Sequence, residues 1–298
     1  MKPVVRGRDH GDQVAPVVRY LSPFRYPGGK SWFVEHARRW LKAQDNQPIY
    51  LIEPFGGGAG ISLLAVNEGL VRRAVFAEID RSVAATWKAV LNGHATWLAN
   101  KLGDFRVSRK SVEAKLREIP KTAHERAFQC LLRNRMARGG VLSEGAGLIR
   151  RGEDGKGLRS RWYPETLAMR IQRIASLKAH LHFRQSDAFE VIGEYLNRAD
   201  TVFFIDPPYT QAARRLYRHW KIDHERLFRL MQNAKGNVLM TYDDTREVRM
   251  WATRYGFQVR KLSMRTTHHQ KKRELMICRD FDWLKRGRQK RKTEKRTG

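Results

Sequence analysis

The sequence predicts an α/β fold in which a doubly wound, mixed sheet carries an inserted helical region, and three observations lead there. Short apolar runs rich in β-formers alternate with helix-patterned segments along residues 48–95, as parallel strands joined by crossover helices do. The alternation lapses over residues 96–180, where the stretches are long, charged and helical, and resumes beyond them. Near the end, residues 257–262 and 274–278 read as a hairpin at a sheet edge, and antiparallel strands there make the sheet mixed.

In chain order, Arg25-Tyr26-Pro27-Gly28-Gly29-Lys30 is a turn by composition and feeds a helix over Ser31 to Leu41. Pro48 to Ile52 is a strand that ends in Glu53-Pro54-Phe55-Gly56-Gly57-Gly58-Ala59-Gly60, and a helix follows over Ile61 to Leu70. Ala74 to Ala77 is a second buried strand closing on Glu78-Ile79-Asp80, with a helix over Ser82 to Leu91. In the insert, helices are expected over Lys101 to Glu118 and Thr122 to Arg135, divided at Ile119-Pro120. Gly139 to Arg161 has the glycine content and lack of periodicity of a mobile or partner-ordered loop. His182 to Gln185 leads to Ser186-Asp187, Thr201 to Ile205 leads into Asp206-Pro207-Pro208-Tyr209, and Asn237 to Thr241 is a further buried strand. Residues 1–18 are then a polar lead-in, 19–95 with 181–284 the main domain, 96–180 the insert and 285–298 a tail. From Lys285 to Arg296 that tail has eight Lys or Arg against one Glu, which predicts disorder and attraction to phosphate.

The 298 residues hold 59 Lys+Arg against 30 Asp+Glu, a formal net charge of +29, which makes nucleic acid the first partner to expect. Cys130 and Cys278 are too few and too far apart for a disulfide framework or a zinc site, and both are expected as buried, reduced thiols. No apolar run is long enough to span a bilayer and the first residues lack a signal-type apolar core, so the expected place is the cytoplasm, with no membrane partner.

In an open parallel sheet, ligands bind outside the carboxyl ends of the strands, and three motifs fall there. Glu53 to Gly60 offers side-chain-free residues that let a cofactor approach the backbone. Glu78, about twenty residues past those glycines, stands where a carboxylate can hold the two hydroxyls of a ribose. Loop and carboxylate together say nucleoside cofactor, and a dinucleotide, a mononucleotide or S-adenosyl-L-methionine would each fit. Asp206-Pro207-Pro208-Tyr209 is the most specific: its prolines fix the backbone as the chain leaves the sheet and leave the Pro207 carbonyl unpaired beside the Asp206 carboxylate. Two adjacent acceptors suit an exocyclic NH2, and Tyr209 supplies a ring for a base to stack on. The fourth motif, Phe24 to Lys30, brackets a glycine turn with aromatics and a lysine.

Together, and in this order, the four motifs resemble the DNA adenine-N6 methyltransferases of the Dam type, over roughly Phe24 to Leu284. The resemblance implies a Rossmann-like S-adenosylmethionine-dependent methyltransferase fold whose helical insert is a target-recognition domain. It implies that Tyr26 and Lys30 line the cofactor pocket, that Phe55 to Gly60 wrap the methionine part with Glu53, Phe55, Gly57 and Gly58 as contacts, and that Glu78 takes the ribose. Asp187, with Ser186, looks like the residue that reads the cofactor's adenine; Asp206, Pro207, Pro208 and Tyr209 look catalytic, with Asp206 also touching cofactor. Lys-Lys-x-Glu-Leu at Lys271 to Leu275 is similar to a stretch where the family contacts DNA, which singles out Lys271 and Lys272, and Thr266 to His269 just before it. Leu132-Arg133-Asn134-Arg135 resembles the family's Leu-Asn-Arg segment, which adds Arg133, Asn134, Arg135 and Arg138. Met136 to Val141 lacks the aromatics often found there, so the specificity for GATC is not carried over.

The implied reaction is methyl transfer from S-adenosyl-L-methionine to N6 of an adenine flipped out of double-stranded DNA, by a monomer that needs no metal and whose candidate protein partner is a cognate restriction endonuclease. An RNA adenine-N6 methyltransferase and an inactive nucleic-acid-binding relative are the alternatives. A cytosine-N4 enzyme is disfavoured because that relative usually has Ser in place of Asp206, and a nicotinamide dehydrogenase because the glycines do not keep the Gly-x-Gly-x-x-Gly spacing.

Overall fold

The computed structural model describes residues 20–25, 30–142, 146–152, 155–209, 221–265 and 271–285. Tyr26, Thr266 to His269, the tail beyond residue 285 and the side chains of Lys271 and Lys272 lie outside the described residues. Seven strands form one sheet among them: β1 (Tyr50–Glu53), β2 (Arg73–Ala77), β3 (Leu181–Arg184), β4 (Thr201–Ile205), β5 (Asn237–Asp243), β6 (Gln258–Arg265) and β7 (Lys271–Cys278). Their order is β3-β2-β1-β4-β5-β7-β6, with β1 to β5 parallel and β7 antiparallel to both its neighbours.

The sheet is covered on both faces, which is why β4 is buried at every position and reads as a continuous apolar run. Leu51, Phe76, Val202, Phe204, Leu239 and Met276 point to one side and pack with α1 (Val34–Lys42), α2 (Gly60–Asn67) and α3 (Arg81–Leu91). Ile52, Val75, Phe203, Ile205, Met240 and Ile277 alternate with them. These pack with α8 (Ala188–Tyr195), α9 (His224–Gln232) and α10 (Arg246–Arg254). The doubly wound, mixed sheet is the one the sequence predicts, down to the terminal hairpin. Within that hairpin the returning strand β7 lies between β5 and β6, so β6 stands at the edge.

Between β2 and β3 the described chain is helical: α4 (Ala95–Asp104), α5 (Arg109–Arg117), α6 (Ala123–Met136) and α7 (Pro164–Ser176). Leu98, Leu102, Leu131, Leu167 and Ile171 join the same apolar core as α1 to α3, with α6 lying on α3 and α7 on α4. The helix expected over Lys101 to Glu118 is two. The first ends at an extended Phe105, and Ser108 caps the second: its Oγ accepts from Ser111 N (3.0 Å), and Ser111 Oγ accepts from Ser108 N (3.0 Å). Gly139 to Arg161, read as a mobile or partner-ordered loop, is anchored among its described residues by buried Ile149 and Leu158 and by an antiparallel bridge of Ala137 with Leu148. Among the described residues no helix is long and apolar enough to cross a membrane, and both cysteines are buried.

Candidate active site

The winding reverses at β1 and β4, since β1 continues into β2 and β3 on one side while β4 and β5 lie on the other. The crevice outside the carboxyl ends at such a reversal is where an open sheet takes its ligand. Glu53 closes β1, Glu78 follows β2 and Asp206 follows β4, so three motifs far apart in sequence meet along one edge.

The glycine loop is packed from behind. Gly56 N donates to Ala77 O at 2.7 Å, and a Cβ on Gly56 would stand 2.8 Å from that oxygen, so only glycine lets the loop lie on the end of β2. Gly57 and Ala59 take left-handed φ values of 45° and 47°, and Trp87 Nε1 donates to Gly57 O at 2.8 Å. Phe55 lies half-buried beneath, in the core of the α8 side. Glu53, 4% exposed, accepts Ser62 N from the first turn of α2 at 2.7 Å. Burial pushes its carboxyl up to about 7, against the pull of Ser62.

Glu78 is also pushed up to about 7 by burial, while its Oε1 accepts Asp80 N at 2.8 Å. The helix cap that a carboxylate here might serve belongs instead to Asp80, whose Oδ1 accepts Ser82 N (2.8 Å) and Val83 N (3.1 Å). Asp187 is exposed at the end of β3 and caps α8 by accepting Phe189 N at 2.8 Å; Ser186 Oγ bonds Glu190.

Asp206 meets a lysine. Lys30 Nζ, 6% exposed, lies 3.0 Å from Asp206 Oδ1, donates to Tyr209 Oη at 2.7 Å and lies 3.4 Å from Glu274 Oε2. Thr241 Oγ1 donates to the same Oδ1 at 2.8 Å, and Tyr209 donates to Glu274 Oε2 at 2.9 Å. The Tyr209 ring lies nearly parallel to that of Tyr242, 16° apart at 6.2 Å. Burial raises the Asp206 carboxyl above its ordinary value, more than the Lys30 ammonium lowers it. Burial likewise pushes the Tyr209 hydroxyl well up, with the charges of Asp206 and Glu274 adding. Pro207 is buried and Pro208 half-buried at the turn.

These features decide the fold: five parallel strands in reversed winding, an antiparallel strand inserted beside the last, and motif-bearing strand ends at the reversal. It is a Rossmann-like methyltransferase fold. Neither a protein-family model nor a curated protein matches the chain. Among solved structures it is similar to a SAM-dependent methyltransferase from Agrobacterium tumefaciens, at 10% identity and a TM-score of 0.40, over 84% of this chain and 61% of that one. It is similar to a putative RNA methyltransferase from Pyrococcus horikoshii, at 11% and 0.38 over 86% and 84%. A putative tRNA methyltransferase of Streptococcus pneumoniae, in complex with S-adenosyl-L-methionine, gives 11% and 0.38 over 83% and 71%.

Within this methyltransferase fold, two residues expected to face DNA are corrected. Asn134 is 1% exposed: its Oδ1 accepts Arg25 N, and its Nδ2 donates to Arg25 O and Gly140 O, each at 2.8 Å. Arg135, 5% exposed, donates to Pro23 O at 2.6 Å, and burial lowers its guanidinium to about 9. Helix α6 turns both inward, where they hold backbone rather than phosphate. Arg170 from α7 adds a bond to Ser22 O at 3.1 Å, so three insert side chains fix residues 22–25, the approach to Lys30. Arg133 is half-buried and Arg138 exposed.

Three site residues escape the sequence reading. Glu274 falls in the stretch read as DNA-contacting, yet it is fully buried; its signal is a lone acid beside the apolar run Leu275-Met276-Ile277. Thr241 is a buried hydroxyl inside β5, two residues before the strand ends. Tyr20 lies just past the lead-in, with its hydroxyl 3.2 Å from where a Cβ on Gly60 would be and close enough to Glu53 and Asp206 to feel their charge. Nothing in the sequence pattern around it marks it.

Proposed function

We propose that the protein transfers a methyl group from S-adenosyl-L-methionine to the N6 amino group of adenine in double-stranded DNA. What supports this reading above all is the carboxylate of Asp206 at the switch point, tethered through one oxygen beside the glycine cradle. Glu53, Phe55 and the loop through Gly58 would hold the methionine part of the cofactor, with Glu78 on the ribose and Lys30 nearby. The fit rests on two observations: a loop that lies so close on the end of β2 that Gly56 admits no Cβ, and a half-buried carboxylate, Glu78, that follows β2 at the same edge. When bound, S-adenosyl-L-methionine supplies an electrophilic methyl group.

The chain's own part is to make an aromatic amine nucleophilic. Lys30 and Thr241 both reach Oδ1 of Asp206, which leaves Oδ2 to accept one N–H of the substrate. The Pro207 carbonyl accepts the other, and together they draw the nitrogen lone pair out of the ring and favour the positive charge that develops there. Tyr209, anchored at its hydroxyl and backed by Tyr242, is the surface on which the flipped base stacks in this reading.

Asp206→Ala tests it. A preorganised acceptor is worth about 10²–10³ in kcat, so N6-methyladenine in duplex DNA, measured by mass spectrometry of the digested product, should fall by at least that while the variant still melts cooperatively. A variant that methylates at the wild-type rate would refute the assignment.

A further inference from the structure

We propose that Glu274 is a positioning residue of this site, fixing the Tyr209 ring and the Lys30 ammonium so that Asp206 keeps one oxygen for the substrate amine. The inference rests on the function proposed above and gives a role to a residue outside the four motifs.

Glu274 is fully buried on β7, and the register sets it between Asp243 of β5 and Leu262 of β6. Its neighbours along the strand, Leu275, Met276 and Ile277, are core residues. An ionised carboxylate there carries a desolvation penalty that an apolar residue would avoid, so its presence in the core asks for partners that use it. Both described partners belong to the site. Lys30 has three N–H groups to give, and Asp206 Oδ1, Tyr209 Oη and Glu274 Oε2 lie at 3.0, 2.7 and 3.4 Å. Tyr209 in turn donates its one O–H to Glu274 Oε2 at 2.9 Å. The donors therefore run one way, Lys30 to Tyr209 to Glu274, and the chain of bonds ends on a carboxylate that cannot turn away into solvent.

Two consequences follow. The Tyr209 hydroxyl is held inward, so the ring and not the hydroxyl is offered to the crevice. Lys30 is shared between two carboxylates and reaches only one oxygen of Asp206, where without Glu274 its ammonium would be free to close on both. Hydrogen bonds made by charged groups are strong enough to impose such geometry. β7 is thus placed inside the sheet, beside β5, where Thr241 and Glu274 serve the same network from adjacent strands.

Glu274→Gln removes the charge and keeps the shape. Misplacement by about an ångström costs on the order of 10²-fold, so kcat should fall by about 10- to 100-fold. KM for both substrates should stay within about twofold, as for groups that act on the reacting geometry alone. The acid limb of the kcat profile should move to lower pH, since the Glu274 charge is one of the influences raising Asp206. The other groups facing Asp206 remain: Lys30, Thr241 and Tyr242 of β5, Tyr209, Glu53 and Tyr20. A wild-type kcat, or a lowered kcat with an unmoved acid limb, overturns the role. Should the variant fail to melt cooperatively, Tyr209→Phe asks the same question by deleting the hydroxyl, and a wild-type kcat there overturns it too. A wild type that methylates adenine in neither polymer overturns the function and the role with it; an active wild type beside an indifferent Glu274→Gln overturns the role alone.

Discussion

Four carboxylates stand at or behind the strand ends of the crevice, and each is balanced differently. Asp206 and Glu274 share the ammonium of Lys30, Glu53 takes an amide from α2, and Glu78 takes one from Asp80. Glu78 is the one whose balance a ligand would change. Burial holds it at about 7 against an ordinary 4.5, so without ligand its contribution to stability is fully present below about pH 4.5 and is lost as pH rises through about 7. Hydroxyl donors from a ribose favour the ionised form, so cofactor affinity runs the opposite way. If Glu78 binds ribose as a carboxylate, S-adenosyl-L-methionine should bind about tenfold more tightly at pH 8 than at pH 6, as the ionised fraction dictates for a group titrating near 7. Isothermal calorimetry across that range checks it: Glu78→Gln should bind more weakly and with a flat profile, and a steep profile in the variant would move the dependence to another group, Glu53 first.

At the scale of elements, most of the fold was legible because strand, turn and helix agree in the sequence. β1, β2 and β4 are apolar runs ended by glycine, acid or proline, and each lies within two residues of where the pattern puts it. Periodicity shows which residues of α6 are alike, however, and not which side faces the core when the buried side carries polar groups. Asn134 and Arg135 look like surface residues because their partners are backbone carbonyls of residues 23–25, which leave no mark on a sequence. Glu274 was hidden for a related reason: its described partners, Lys30 and Tyr209, come from two segments far from it in the sequence. The Asn134 contact is a joint between the helical insert and the approach to Lys30, since Gly140 and Arg25 are held by one amide group. Asn134→Ala strands buried backbone groups that each cost about 1–3 kcal/mol unsatisfied. It should lower the free energy of unfolding by about that much or more and lower kcat by loosening the hold of Lys30 on Asp206. Denaturant melts beside steady-state kinetics would show both; a stability loss with unchanged kinetics would mean that Lys30 is positioned without the insert.

For the whole molecule the dominant quantity is a net charge of +29, which acts on any polyanion alike. Charge therefore governs binding, and the crevice governs what is methylated, so the two respond to different variables. A protein neutralising six or more phosphates loses about 10³-fold in affinity or more between about 50 and 200 mM salt. DNA binding should weaken on that scale, while binding of S-adenosyl-L-methionine, decided in a buried crevice, should change by less than about threefold because buried contacts are little screened. The same separation settles which polymer is the substrate. Duplex DNA and structured RNA should each compete for binding at low salt, since both present phosphate, so displacement carries no information about the reaction. Labelled methyl does: with both polymers present at saturation, the label should be recovered as N6-methyladenine in the DNA fraction. Recovery in RNA at an equal or greater rate would replace the DNA reading with the RNA one, while leaving intact the roles argued for Asp206 and Glu274, which concern an adenine amine and not the sugar that carries it.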